Sequence, residues 1–236
     1  METKDPPSDS HSDQLVLASS SPRRQDLLRQ IGLSFLVLPV PVDESISDQD
    51  PQQIVIQLSE RKARAAGQML AKILAADGRP VHIPGRPESY QLRLTEAARW
   101  ILVACDTIVS LNGLMLGKPG NRAEAQRMLQ QLSGAEHAVY SGLCLLEMQS
   151  NGSVKLNTGF SRTQVRFADL SRSEIEAWLD CNTWQDKAGG WAIQEMALSF
   201  VAEIHGDYSN IVGLPVPLLR KMLWKINAWP YAGHGF

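Results

Sequence analysis

The sequence predicts an α/β fold built on a mixed, twisted sheet flanked by helices. Three observations carry this. Short apolar runs alternate with segments whose hydrophobic residues recur at helical spacing. Helix-opening signals stand between those runs: Ser21 before Pro22, and Ser171 with Glu174 three residues on. Asn112-Gly113, set between two apolar runs, is the strongest short hairpin signal in the chain and adds an antiparallel pair. Helices and strands interleaved in this way bury their apolar faces best as helices packed on a sheet. With 236 residues, 44% of them hydrophobic, the chain can fill one sizeable core.

Residues 1–13 are rich in Ser, Asp and Pro and read as a disordered tail. "QLVLA" (14–18) is a first strand. The Ser21 hydroxyl is expected to cap the following helix, with Pro22 at its first position, Leu27, Leu28 and Ile31 on one face, and Gly32 closing it. "SFLVLPV" (34–40) is a second strand and "DESISDQD" a polar loop. A long helix runs from Pro51 to about Ala76, with Ile54, Val55, Leu58, Ala65, Met69 and Ile73 in register. Residues 77–99 break the pattern with prolines, glycines and arginines and read as a surface insertion. Residues 101–119 form two strands around Asn112-Gly113, and 121–132 a helix ended by Ser133-Gly134. "HAVYSGLCLLEM" and "SRTQVRFADL" are further strands joined around "SNGS". A capped helix opens at Ser171, residues 186–215 are punctuated by glycine, and a last helix follows Pro215. The expected organisation is one domain over residues 14–228, with 229–236 a C-terminal tail.

The formal net charge is −2, which argues against a general nucleic-acid binder. Cys105, Cys144 and Cys181 are far apart and show no CxxC or Cys/His cluster, which disfavours a disulfide framework or a structural zinc site. The start of the chain lacks the apolar stretch of a signal peptide, and no run has the length of a membrane span. A soluble cytoplasmic protein without a membrane or nucleic-acid partner is expected.

Five constellations could carry chemistry, and each has a plain alternative. Ser19, Ser21, Arg23 and Arg24 stand at a strand-to-helix junction. Outward amides, the helix dipole and two guanidiniums would cradle a phosphate there; a helix with solvated arginines is the other reading. Asp106 and Thr107 in "CDT" place a carboxylate and a hydroxyl at a strand end, fit to hold a hard cation, to activate water or to cap a turn. Lys118 in "GKP" is either a phosphate ligand or a hairpin-end lysine. Glu44 in "VDES" goes with Lys62 in "SERKARA", where Arg61, Lys62 and Arg64 also read as a solvated helix face. "DKAGGWAIQ" (186–194) has glycines that suit close backbone approach or a packed bulge. Taken together, Glu44, Asp106 and Asp186 could bind a divalent ion, and Arg23, Arg24, Lys62 and Lys118 could neutralise a polyphosphate. Gln194 offers a donor and an acceptor to a base edge. That is the inventory for metal-assisted hydrolysis of a nucleotide. No Walker A pattern is present.

In order, "LASSSPRRQDLL", "DES", "LSERKA", "ACDTIV", "GKP", "LSGAEHAVYSG", "DKAGGWAIQ" and "GDYSNIVGLP" resemble the Maf family of nucleotide pyrophosphatases over residues 14–222. The resemblance implies a fold with a long central cleft like that of the inosine-triphosphate pyrophosphatases. It also implies a divalent cation (Mg or Mn), a homodimer, and hydrolysis of a nucleoside triphosphate to the monophosphate and pyrophosphate. By position, Asp106 matches the family's proton acceptor and Glu44 a metal- or water-handling carboxylate. Ser19, Arg23, Arg24, Lys62 and Lys118 match phosphate-binding residues; Arg23, Thr107 and Gln194 match positions that set base preference. "AIQ" (192–194) and "YSNIVGLP" (208–215) look like the branch acting on dTTP and UTP. The alternatives are a 7-methyl-GTP or modified-nucleotide pyrophosphatase, or a weakly catalytic regulator linked to septum formation. The chain departs from the family pattern in the length of 77–99, in Thr183, in Ser141 and in Glu195-Met196, where a glycine usually follows the glutamine.

Overall fold

The computed structural model describes residues 13–45, 48, 50–76, 97 and 99–230. Nearly all of the expected N-terminal tail, most of the expected insertion and the end of the expected C-terminal tail lie outside these residues. β1 (Gln14–Leu17) pairs in parallel with β2 (Leu36–Val37) on one side and with β3 (Arg99–Leu111) on the other. Beyond β3 every pairing is antiparallel: to β4 (Leu114–Leu116) and β5 (Glu136–Gln149), then to β6 (Val154–Phe167) and β7 (Val201–His205). The sheet order is β2-β1-β3-β5-β6-β7, with β4 beside β3. This is the mixed sheet that the alternating pattern predicts.

Among the described residues six α-helices flank it: α1 (Pro22–Gln30), α2 (Pro51–Ala75), α3 (Arg122–Leu132), α4 (Arg172–Asp180), α5 (Tyr208–Val212) and α6 (Val216–Lys225). The period of two along β3 sorts its residues onto two cores. Ile101, Val103 and Cys105 pack with Leu28 of α1, Leu129 of α3, Trp178 of α4 and Leu219 of α6. Trp100, Leu102 and Ala104 pack with Ala63, Ala66 and Leu70 of α2. Burial on both faces is why β3 reads as a continuous apolar run instead of an alternating one. α1 leads the chain from β1 to β2 on one face, and α2 carries it back across β1 to β3 on the other. The crevice beyond the ends of β1 and β3 is therefore a topological switch point, where open α/β sheets bind ligands.

Several local expectations change. Ser21 stands at the N-cap of α1, with Pro22 at the first position, but its side chain caps nothing. Instead the Ser19 hydroxyl accepts from the Ser21 amide at 3.2 Å, leaving the first turn of α1 without a side-chain cap. The buried stripe of α2 runs through Ile54, Val55, Leu58, Ser59, Ala63, Ala66, Gly67 and Leu70, so Ala65, Met69 and Ile73 flank it. Small residues at 63, 66 and 67 let the helix lie close on the sheet. β2 is two residues long, shorter than 34–40, and β3 begins at Arg99, the last residue assigned to the insertion. Trp229, placed in the tail by its sequence, packs against the core. β7 was not anticipated from the glycine-punctuated segment. The hairpin is as expected: Asn112 and Gly113 have φ of 49° and 83° and join Leu111 to Leu114. The Ser171–Glu174 capping box forms in full. Among the described residues no helix is long and apolar enough to cross a membrane.

Candidate active site

A cleft of about 1160 Å³ opens at the switch point. Its walls come from the β1–α1 junction, the segment before α2, α2 itself, the middle of β3, the turn after β4 and the loop 186–194. Asp106 follows Ala104 on the α2 side of β3, and there Lys62 of α2 meets it. The Lys62 ammonium donates to Asp106 Oδ1 and lies 2.7 Å from Glu44 Oε1, so one cation holds two carboxylates. Lys62 and Asp106 are largely buried, whereas Glu44 is half exposed. The hydrogen bond from Lys62 holds the Glu44 carboxyl below the usual carboxylate range; partial burial opposes this, and Lys118 and Arg24 add to it from further off. Arg61, one residue before Lys62, donates to the carbonyls of Asp43 and Ser45 and so fixes the loop that carries Glu44. Arg64 pairs with Glu60 on the exposed helix face. Of the three basic residues that read as one solvated face, only Arg64 is that.

Thr107 points the other way. Its hydroxyl lies 2.8 Å from Ser141 Oγ and accepts from Arg24 Nη2 at 3.2 Å. The carboxylate and hydroxyl of "CDT" therefore serve opposite faces of β3. Arg24 also donates from Nε to the Gly213 carbonyl (2.8 Å) and from Nη1 to Ser19 Oγ (3.2 Å). Ser141 Oγ in turn donates to the Asn210 carbonyl. Arg24 thus ties α1 to β1, β3 and the end of α5, with every nitrogen of its guanidinium engaged. Arg23 faces the cleft with no hydrogen bond or ion pair among the described residues. Burial, and then the neighbouring Arg24 charge, push its pKa below the ordinary value, while Glu195 and Asp186 partly offset them. The two adjacent arginines have different work.

The opposite wall is the loop 186–194. The Gly189 amide donates to the Gly117 carbonyl (2.9 Å), which couples this loop to the turn holding Lys118. Trp178 Nε1 donates to the Gly190 carbonyl at 2.8 Å. Asp186, Gln194 and Lys118 all line the cleft and are exposed. Lys187, which is buried, pairs with Glu195 at 3.2 Å and donates to the Thr183 carbonyl. Glu195 is not part of the cleft lining; its charge is turned toward Lys187.

Ser19, Ser21, Arg23, Arg24, Glu44, Lys62, Asp106, Thr107, Lys118, Asp186 and Gln194 thus all line one cleft. The structure does not gather them all into one cluster, however. Asp106 and Glu44 converge on Lys62, whereas Asp186 stands apart on the loop. Among the described residues no group of three or more His, Cys, Asp or Glu side chains is close enough to hold a metal ion. Two convergent carboxylates still suit a hard cation such as Mg²⁺, which takes one or two protein carboxylates and completes its shell with substrate phosphates. Sequence reasoning missed the roles of Arg61, Ser141 and Gly213, which lie in contacts between distant segments, and that of Lys187, whose partners Thr183 and Glu195 are close in the chain. It also missed Gly142, which pairs in register with Asp106 and gives α2 its room.

A family model described as "Maf-like protein" matches residues 14–226. A dTTP/UTP pyrophosphatase of Symbiobacterium thermophilum is 40% identical over 215 residues, 91% of this chain and 94% of that protein. One of Clostridium acetobutylicum is 38% identical over 211 residues, 89% of this chain and 96% of that protein. A solved nucleoside-triphosphatase / dITP/XTP pyrophosphatase from Mycobacterium abscessus superposes with a TM-score of 0.33 at 14% identity, over 66% of this chain and 75% of that one. That likeness is too loose to bear on the site.

Proposed function

The chain belongs to the Maf-like protein family, and from that premise we propose that it hydrolyses nucleoside triphosphates, dTTP and UTP first, to the monophosphate and pyrophosphate. The observation that carries the reading is the Glu44–Lys62–Asp106 constellation, set in one cleft with the uncapped start of α1 and the unspent guanidinium of Arg23. Its relatives named dTTP/UTP pyrophosphatases support the substrate class.

Asp106 is the general base. Lys62 keeps its carboxylate oriented, and a water at the free oxygen loses its proton to Asp106 as it attacks the α-phosphorus. The bond from that phosphorus to the bridging α–β oxygen breaks, and pyrophosphate leaves. Arg23, Lys118 and the first-turn amides of α1 face the charge that grows on the leaving group, where preorganised donors are worth most. A divalent cation held by Asp106 and Glu44 together with the phosphates would neutralise the triphosphate and act as a Lewis acid. Arg24 and Ser19 keep the β1–α1 junction in shape, and Thr107 is held with them. Gln194 presents an amide to the base, whose carbonyl and imino N–H in uracil or thymine match its donor and acceptor. A cytoplasmic setting belongs to the same reading, supported by three cysteines that are all free thiols.

The test is product analysis with Mg²⁺ or Mn²⁺ on dTTP, UTP, CTP, GTP, ATP and 7-methyl-GTP. Monophosphate and pyrophosphate from dTTP or UTP, lost in Asp106→Asn, are expected. Release of orthophosphate as the first product would overturn the reaction assigned.

A further inference from the structure

The segment that presents Gln194 begins and ends on an ion pair. Lys187 Nζ lies 3.2 Å from Glu195 Oε1, and the lysine side chain is only 8% exposed. The same ammonium donates to the Thr183 carbonyl. Between the two partners, Gly189 and Gly190 both adopt left-handed backbone, with φ of 70° and 73°. Two such glycines in a row give the segment more freedom than a specificity loop can tolerate unless something restrains it. Its first half is restrained by Gly117 and Trp178. Its second half, which carries Gln194, has the buried side chains of Trp191, Ala192 and Ile193, a turn from the Glu195 amide to the Ala192 carbonyl at 3.2 Å, and, at its end, the Lys187–Glu195 pair.

The placement of Glu195 is costly. Among the described residues its second oxygen, Oε2, is enclosed without a hydrogen-bond partner, and an unmatched acceptor out of water is destabilising. A glutamate serving only solubility would turn that oxygen outward. We propose that Glu195 is a positioning residue for base selection: its ion pair with Lys187 clasps the two ends of segment 187–195 and fixes Gln194 at the cleft wall. The clasp also holds Asp186, since each member of the pair is the immediate neighbour of a residue facing the cleft. The inference rests on Gln194 reading the base, as assigned above.

The experiment compares wild type, Glu195→Gly, Glu195→Gln and Gln194→Ala, with thermal melts to confirm folding. Hydrogen exchange of residues 186–196 is followed without nucleotide, and kcat and KM are measured for dTTP, UTP, CTP and GTP. In Glu195→Gly the loop amides exchange faster and KM for dTTP rises about tenfold. There kcat stays within about threefold and the preference for dTTP over GTP falls about tenfold. Glu195→Gln keeps an acceptor for Lys187 and lies between. Unchanged exchange in Glu195→Gly would remove the clasp. Faster exchange with KM and base preference unmoved would remove its role in selection, as would a loss confined to kcat. If Gln194→Ala leaves the base preference intact, the reading beneath the inference falls and takes it along. If Gln194→Ala changes the preference but Glu195→Gly does not, the inference alone falls.

Discussion

Lys62 sits between two carboxylates and is largely buried, so its replacement uncovers charge instead of merely deleting a contact. Removing one partner of a buried pair costs about 3–5 kcal/mol. Lys62→Met is therefore expected to lose hydrolysis and to lower the melting temperature, which calorimetry beside an activity assay would reveal. Asp106→Asn keeps the shape but removes the proposed base, and a fall in kcat of about 10²–10⁴ is expected with the fold intact. The adjacent arginines separate by the same logic. Arg24 makes three hydrogen bonds to the scaffold, so Arg24→Ala should cost about 2–3 kcal/mol of stability as well as activity. Arg23 has no such partner among the described residues, and Arg23→Ala should lower kcat with the melting temperature unchanged. Equal melting temperatures in the two variants would refute the division of labour.

At the scale of elements, the approach of α2 to the sheet decides whether Lys62 can reach Asp106. Gly142 on β5 stands in register with Asp106. A Cβ there would lie 1.9 Å from the Val55 carbonyl oxygen and 2.3 Å from its carbon. Backbone of α2 has to move to admit a methyl group, and overpacking of this kind costs about 1–3 kcal/mol or more. Gly142→Ala should destabilise the protein in denaturant melts. It should also reduce kcat, because the displaced helix draws Lys62 away from Asp106. At Gly113 the space is open and only the φ of 83° resists a side chain, so Gly113→Ala should cost about 1 kcal/mol and spare activity. Gly113 was legible because Asn-Gly is a local turn signal, and Gly142 was not because its neighbour comes from another helix.

At the scale of the whole molecule, a histidine lies against the first core, where burial disfavours its protonated form. His137 on β5 is 2% exposed, lies 4.9 Å and 5.4 Å from the rings of Phe167 and Trp191, and hydrogen-bonds through neither ring nitrogen. Burial pushes its pKa down from 6.5 to about 4, with the backbone at Ala135 opposing in part. The unfolded chain then binds the proton more readily than the folded one between those values. Stability from this group is full above pH 6.5 and drains as pH falls toward 4, by up to roughly 3 kcal/mol. Melts from pH 7.5 to 4.5 should show the decline, and His137→Leu should flatten it. A slope that survives the substitution would assign the effect to other groups. Trp191 also lines the cleft, so the acid loss should reach activity as well.

The sequence by itself determined what is local. Most of the strand and helix order, though not β7 or α5, the Asn112-Gly113 hairpin, the Ser171 capping box and Pro22 at the first position of α1 follow from residues within a few positions of one another. Tertiary structure alone decided the partners. Lys62 meets Asp106 across 44 residues, Arg24 meets Thr107 across 83 and Gly213 across 189. A side chain's hydrogen-bonding capacity is written in its type, but which acceptors use that capacity depends on the elements packed around it. That is why "RR" read as two phosphate ligands, with Arg23 also at a base-preference position, while the fold ties Arg24 to the scaffold and leaves Arg23 without a partner among the described residues. It is also why three acidic residues read as one metal cluster, and the fold brought only two of them together.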